Sequence, residues 1–199
     1  MSSRIVVLAA TLVVLAGCTS KSAAPHGSPS QPTGSSEPSP VVAGALRRPL
    51  KIPTLAPGSP CPVSEANPRI WSRRAPGLGP GPVAPVGLGI TAVLHYRPFP
   101  GSHWSGQKVL WVAAPGYLGP ILIRGAQVDG AGGVGFNVSG GGPPMAELQF
   151  PPGGAGFATD RGYRNWPSYT RVRAPGCYAY QVDGANFSYV IIFRATPLG

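Results

Sequence analysis

Apolar and polar side chains alternate along residues 89–96 (GITAVLHY), with Ala92, Leu94 and Tyr96 on one face and Thr91, Val93 and His95 on the other. A period of two is the signature of a half-buried strand. Short apolar runs bounded by Gly or Pro recur at 108–113 (KVLWVA), 120–124 (PILIR), 134–138 (VGFNV) and 146–150 (AELQF). Three further runs, 168–173, 177–183 and 186–194, complete the series, and Asp183-Gly184 between the last two is a hairpin signal. Within 186–194, Phe187, Tyr189, Ile191 and Phe193 share a face, while Ser188, Val190, Ile192 and Arg194 share the other. No window carries a capped helical period, because Pro or Gly interrupts nearly every one. Eight short strands separated by turn residues predict an all-β domain, an immunoglobulin-like antiparallel β-sandwich with Trp111 in its core.

The first residues follow a different pattern. Arg4 precedes the apolar run Ile5 to Ala16, which is shorter than the roughly 20 residues a spanning helix needs. The run ends in Leu15-Ala16-Gly17-Cys18, which resembles the lipobox of bacterial lipoproteins. That resemblance implies cleavage before Cys18, acylation of the cysteine with chains such as palmitate, and a cell-membrane location on the extracytoplasmic face. Two or more acyl chains hold a protein stably on a membrane. Residues 19–40 contain seven Ser and five Pro with almost no large apolar side chain, so they cannot bury enough surface to offset their ordering entropy. The expected organisation is therefore a signal peptide at 1–17, a disordered Ser/Pro-rich tether at 18–45 and the sandwich at 46–199.

Composition refines this picture in two ways. With Cys18 assigned to lipid, Cys61 and Cys177 remain as an even pair in an oxidising compartment. Neither has a second cysteine or a histidine within four residues, so a disulfide is expected rather than a metal site. It would staple the Pro/Gly-rich start of the domain to a penultimate strand. Residues 41–199 carry 14 Lys and Arg against five Asp and Glu, an excess that attracts anionic surfaces and that also serves solubility. Nucleic acid is excluded as a partner by the expected export.

The segments 78–87 (LGPGPVAPVG), 108–130 and 173–195 look like blocks shared by uncharacterised exported proteins of high-GC bacteria. The resemblance implies one fold unit over much of the domain and carries no mechanism. Motifs for chemistry are weak. Gly130, Gly132 and Gly135 match G-x-G-x-x-G, but the strand-like residues that follow do not open the helix a dinucleotide site requires, so a turn is expected. Ser102, His103 and Ser105 lie on one loop with no nucleophile elbow. Asp129 and Asp183 each precede Gly in a V-D-G triplet, which turn chemistry explains. His95 and His103, eight residues apart, lack a third zinc ligand. Asn137 and Asn186 begin N-x-S sequons. No catalytic residue, metal or cofactor is expected.

The densest constellation is 157–173 (FATDRGYRNWPSYTRVR), where Arg161, Arg164, Arg171 and Arg173 are interleaved with Tyr163, Trp166 and Tyr169. Guanidinium groups take oxyanions in two-point fashion and aromatics supply stacking faces, so this segment is a candidate anion-binding site. Its structural alternative is an edge strand whose solvated arginines block sheet-to-sheet association. The functional expectation is a non-catalytic binding or structural module for an anionic envelope polymer, a lipid headgroup or a protein partner. The alternatives are an envelope hydrolase, built on His95 or His103 with Asp129 or Asp160, and an accessory subunit of an envelope complex.

Overall fold

The computed structural model describes residues 44–56, 58–72, 75–138, 141–153 and 162–199. The signal peptide, Cys18, the greater part of the tether, Asp160 and Arg161 lie outside the described residues.

The domain is all-β. Its strands are β1 (Ala66–Ser72), β2 (Ala75–Leu78), β3 (Val83–Val86), β4 (Val93–Pro98), β5 (Ser105–Ala113) and β6 (Ile121–Gln127). The series continues with β7 (Gly135–Asn137), β8 (Glu147–Phe150), β9 (Arg164–Val172), β10 (Gly176–Gly184) and β11 (Ser188–Pro197). Hydrogen-bonded neighbours follow the path β7-β9-β5-β4-β11-β10-β6-β8, with β3 also beside β5. The first sheet is β7-β9-β5 with β3 and β4 along the free side of β5; the second is β11-β10-β6-β8. β4 joins them, pairing antiparallel with β5 through Arg97 and Pro98 and parallel with β11 through Val93–Tyr96.

These neighbours are those of an immunoglobulin-type sandwich, in which a split first strand serves both sheets. One exchange sets it apart. The strand beside β9 (β7) precedes the strand beside β6 (β8) along the chain, the reverse of the variable-domain order.

Eight strands coincide with the alternating runs. The segment 89–96 needs correction, because its first four residues form a turn. Gly87, Gly89 and Ala92 have φ of 113°, 65° and 52°, and Val93 N–H donates to Leu88 O, so the strand begins only at Val93. Asp183-Gly184 also needs correction: both residues end β10, and the chain reverses through Ala185 and Asn186. β1, β2 and β3 are absent from the sequence reading, since Pro68, Pro76 and Pro85 interrupt their short runs.

The core lies between the sheets and centres on Tyr180. Its ring meets Trp111 edge-on at 5.1 Å and stacks on Phe193 at 4.4 Å, while its hydroxyl shares a 2.7 Å hydrogen bond with Thr170. Leu94, Val109, Ile123, Phe136, Tyr178 and Ile191 fill the space around it.

The outer faces of the sandwich are partly covered by the chain itself. On the second sheet, Cys177, Ala179, Gln181 and Asp183 point outward from β10, yet all are buried. Residues 48–56 and 58–61 lie across them antiparallel to β10. Arg48 reaches Asp183 at 3.5 Å, Lys51 N–H donates to Gln181 Oε1 at 2.6 Å, and Cys61 is disulfide-bonded to Cys177 with a Cα–Cα distance of 5.5 Å. Asp183, fully buried, also accepts from Arg124 at 2.8 Å. Ile52 and Leu55 cover Ala179, Val190 and Ile192. On the first sheet, Ile70 and Ala75 of the β1–β2 hairpin pack on Val112 and Leu110. That hairpin covers one half of the outer face and leaves the half around Ser105–Lys108 open.

Two outcomes follow. Replacing Cys61 and Cys177 together by Ser should lower stability in urea unfolding by about 2–4 kcal/mol, since the bond closes a long loop. Burial pushes the Tyr178 phenol from its ordinary 10.0 to about 12, and it drives Tyr180 and Tyr189 upward as well. Raised values favour the neutral phenol in the folded state. The stability they contribute is therefore intact below pH 10 and is lost as the pH climbs towards 12. An ultraviolet titration should show these phenols ionising together with alkaline unfolding.

Candidate anion-binding groove

The described members of the sequence-predicted anion cluster do not converge. Arg164 and Arg171 stand at opposite ends of β9, about 23 Å apart at strand rise. Arg164 is buried. It donates to Tyr117 O at 2.6 Å and lies 5.0 Å over the Trp166 ring. Burial lowers its pKa, and the nearby Tyr117 phenol acts in the opposite direction. Trp166 stacks on Phe150 at 4.6 Å, tying β9 to β8, and Tyr163 donates its hydroxyl to Arg69 O at 2.8 Å, tying β9 to the hairpin. These three side chains hold the fold together. Arg171 and Arg173, at the other end, belong to a different surface.

That surface is the open half of the first sheet. A groove of about 470 Å³ runs there, lined by His95 and Arg97 of β4, Phe99 of the β4–β5 connection, Lys108 of β5, Tyr169 of β9 and Leu198 of the C-terminal tail. Alternation sets its chemistry. Val109 and Trp111 point into the core, so Lys108 points out; Leu94 and Tyr96 are buried, so His95 and Arg97 are exposed. Gln107 fixes one wall by accepting from His95 N–H at 2.6 Å and donating to Gly87 O at 2.5 Å. Leu198 N–H donates to Tyr96 O at 2.9 Å and brings the tail alongside.

The aromatic wall carries further cations. Phe99 meets Tyr169 edge-on at 5.6 Å, and the Arg171 guanidinium lies 3.4 Å from the Phe99 ring centre. Next to it, Arg173 lies 4.4 Å over Trp104. Cation–π contacts of this kind are worth about 0.5–2 kcal/mol each. Arg171 is only 1% exposed, and burial lowers its pKa from the ordinary guanidinium value. Among the described residues no carboxylate pairs with Arg97, Lys108, Arg171 or Arg173. Glu147 pairs with Arg47, and Asp183 with Arg48 and Arg124.

The remaining candidates are placed as follows. His95 Nδ1 lies 3.3 Å from Thr196 Oγ1, and Ser102 and His103 are exposed on the loop before β5. Asp129 accepts from Cys177 N–H at 2.9 Å and from Gln127 at 2.9 Å, so it fastens the start of β10. Asp183 is a buried ion-pair partner, which corrects its reading as a turn residue. Gly130 and Gly132 lie in a bend with no helix after it. Asn137 is buried, donating to Gly141 O and Pro143 O, whereas Asn186 is exposed. Among the described residues no cluster of three His, Cys, Asp or Glu could hold a metal ion, and no helix is long and apolar enough to cross a membrane.

No protein-family model, curated protein or solved structure matches this chain.

The groove depends on glycine beneath its aromatic wall. A Cβ on Gly106 would collide with Thr170 O and lie 2.8 Å from the Arg171 stem, whereas a Cβ on Gly133 would meet nothing. Gly106→Ala should therefore cost about 1–3 kcal/mol in thermal or urea unfolding, and Gly133→Ala should stay within about 0.5 kcal/mol. Equal effects would mean that Arg171 is not packed across Gly106.

Proposed function

We propose that this protein is a lipid-anchored, extracytoplasmic binding module that takes an anionic component of the cell envelope into the groove between β4, β5 and β9. The N-terminal pattern supports the setting: an apolar run, a lipobox-like Leu15–Cys18 and a Ser/Pro-rich segment between that cysteine and the folded domain. The observation that carries the binding reading is the groove itself. Arg97 and Lys108 stand beside Phe99 and Tyr169 with no carboxylate partner among the described residues, on the half-face the chain leaves uncovered. Exposed cations without counter-charges raise the local concentration of anions, and flanking aromatics add contact area that does not depend on salt. The groove binds and orients; nothing in the reading asks it to break a bond.

The test is direct. The full chain, purified in non-ionic detergent, should bind anionic polymers in preference to a neutral polymer of similar size, and affinity should fall as salt rises. The double variant Arg97→Ala/Lys108→Ala should lose roughly tenfold in affinity, the sum of two exposed charge contacts. Unchanged binding in that variant, or affinity indifferent to both salt and polymer charge, would sink the proposal.

A further inference from the structure

We infer that the groove's ligand carries its charge as a sugar carboxylate, and that Arg171, covered by Phe99, is the residue that receives it. The inference rests on the anion-binding reading above and names the ligand class and its central contact.

Arg171 is anomalous among the buried arginines of this fold. Arg124 reaches Asp183, and Arg164 reaches the carbonyls of Tyr117 and Gly119. The side chain of Arg171, 1% exposed, makes no hydrogen bond among the described residues, and its Nε and Nη1 are sealed from solvent without a partner. Buried donors are nearly always paired, and a buried cationic donor left unpaired is the most costly kind. Stacking on Phe99 satisfies the face of the guanidinium and leaves Nε and Nη1 without an acceptor. Once uncovered, such a fork suits a two-point bond, the geometry that a carboxylate matches.

Position ties this side chain to the groove. The stem of Arg171 lies across Gly106, and the guanidinium lies against Phe99; both residues line the groove. The Phe99 ring therefore stands between the buried fork and the open volume. Phe99 sits at the start of the short β4–β5 connection, which includes Gly101 at φ 69° with open space around it. A rotation of the ring about its own side-chain bonds would bring the fork into the groove without moving a strand. The rings of Phe99 and Tyr169, with Trp104 next to them, then offer flat apolar faces of the kind that pyranose rings stack on. A phosphodiester polymer on a flexible polyol chain would use the charges and leave those faces idle. A carboxylated glycan uses both.

Titration calorimetry on the full chain in non-ionic detergent decides the matter with three probes: a short oligogalacturonate, its methyl ester and inorganic polyphosphate. The free acid should bind and the ester, which keeps the rings and loses the charge, should bind at least tenfold more weakly. Arg171→Lys keeps the charge but cannot form two parallel bonds, so it should lose about tenfold in affinity for the acid. Arg171→Gln, which keeps hydrogen-bond donors but loses the charge, should lose at least as much. Tighter binding of polyphosphate than of the uronate overturns the ligand class. Arg171→Lys or Arg171→Gln binding the acid like the parent overturns the role of Arg171. Either result can occur while Arg97→Ala/Lys108→Ala still weakens binding, in which case the groove reading stands alone. Absence of binding to every anion removes both.

Discussion

The covering of β10 on both faces is the constraint from which the arrangement of this domain follows. Its inward side carries Tyr178, Tyr180 and Val182 into the core, and its outward side carries Cys177, Ala179, Gln181 and Asp183. An outward Asp cannot be buried unless its charge is met, because desolvation of an unpaired carboxylate costs several kcal/mol. Arg124 from β6 and Arg48 from residues 48–61 meet it, and the same segment supplies the partners of Gln181 and Cys177. The strand order of side chains on β10 thus specifies, residue by residue, where the N-terminal segment must lie. The chain itself thus occupies the β10 region of this sheet. The β1–β2 hairpin does the same for half of the opposite face. What remains open is the half bearing Lys108, Arg97 and Tyr169, so the location of the groove is a consequence of how the other surfaces are filled.

Alternation explains why most strands were legible. Trp111, expected in the core, is there, and the face of 186–194 that carries Phe187, Tyr189, Ile191 and Phe193 is the one turned to the core. The failures have two physical sources. Turn residues with positive φ override alternation at 87–92, where Ala92 keeps its predicted side but sits in a turn. Proline hides the short strands β1 to β3, whose pairing is set by tertiary contact with β5 and with one another rather than by propensity. The exchange of β7 and β8 has no local signature, since both are runs of three or four residues that would fit either edge.

The candidate site was less legible for a different reason. Arginine and aromatic residues crowd together at 157–173, and proximity along the chain suggested proximity in function. A strand separates what it strings together: the ends of β9 lie on different surfaces, and Arg164, Tyr163 and Trp166 became fold contacts. The groove instead gathers Arg97 and Phe99 from one end of β4 and its connection, Lys108 from β5 and Tyr169 from β9. The register Arg97 with Gly106 and Lys108 with Tyr169 brings them together, and that register is not readable from spacing alone. A signal did exist in the outward positions of 93–98 and 105–110, where the exposed side chains include two cations and no acid.

Charge balance supplies the last step. Positive residues outnumber acidic ones by 16 to 6, and within the described part of the domain three of the four acids, all but the exposed Glu65, are already committed. Asp183 neutralises two arginines, Glu147 holds Arg47, and Asp129 accepts from a backbone N–H at the start of β10. The excess is therefore not spread evenly. It collects where acids are absent, and the open half of the first sheet is such a place. At physiological salt, charges within about 8 Å of one another still reinforce each other. Arg97 and Lys108 line one volume walled by Phe99 and Tyr169, and Arg171 lies against the Phe99 ring. An anion entering that volume meets a positive field without having to displace an internal carboxylate, which is the physical difference between this groove and the equally arginine-rich cover over Asp183.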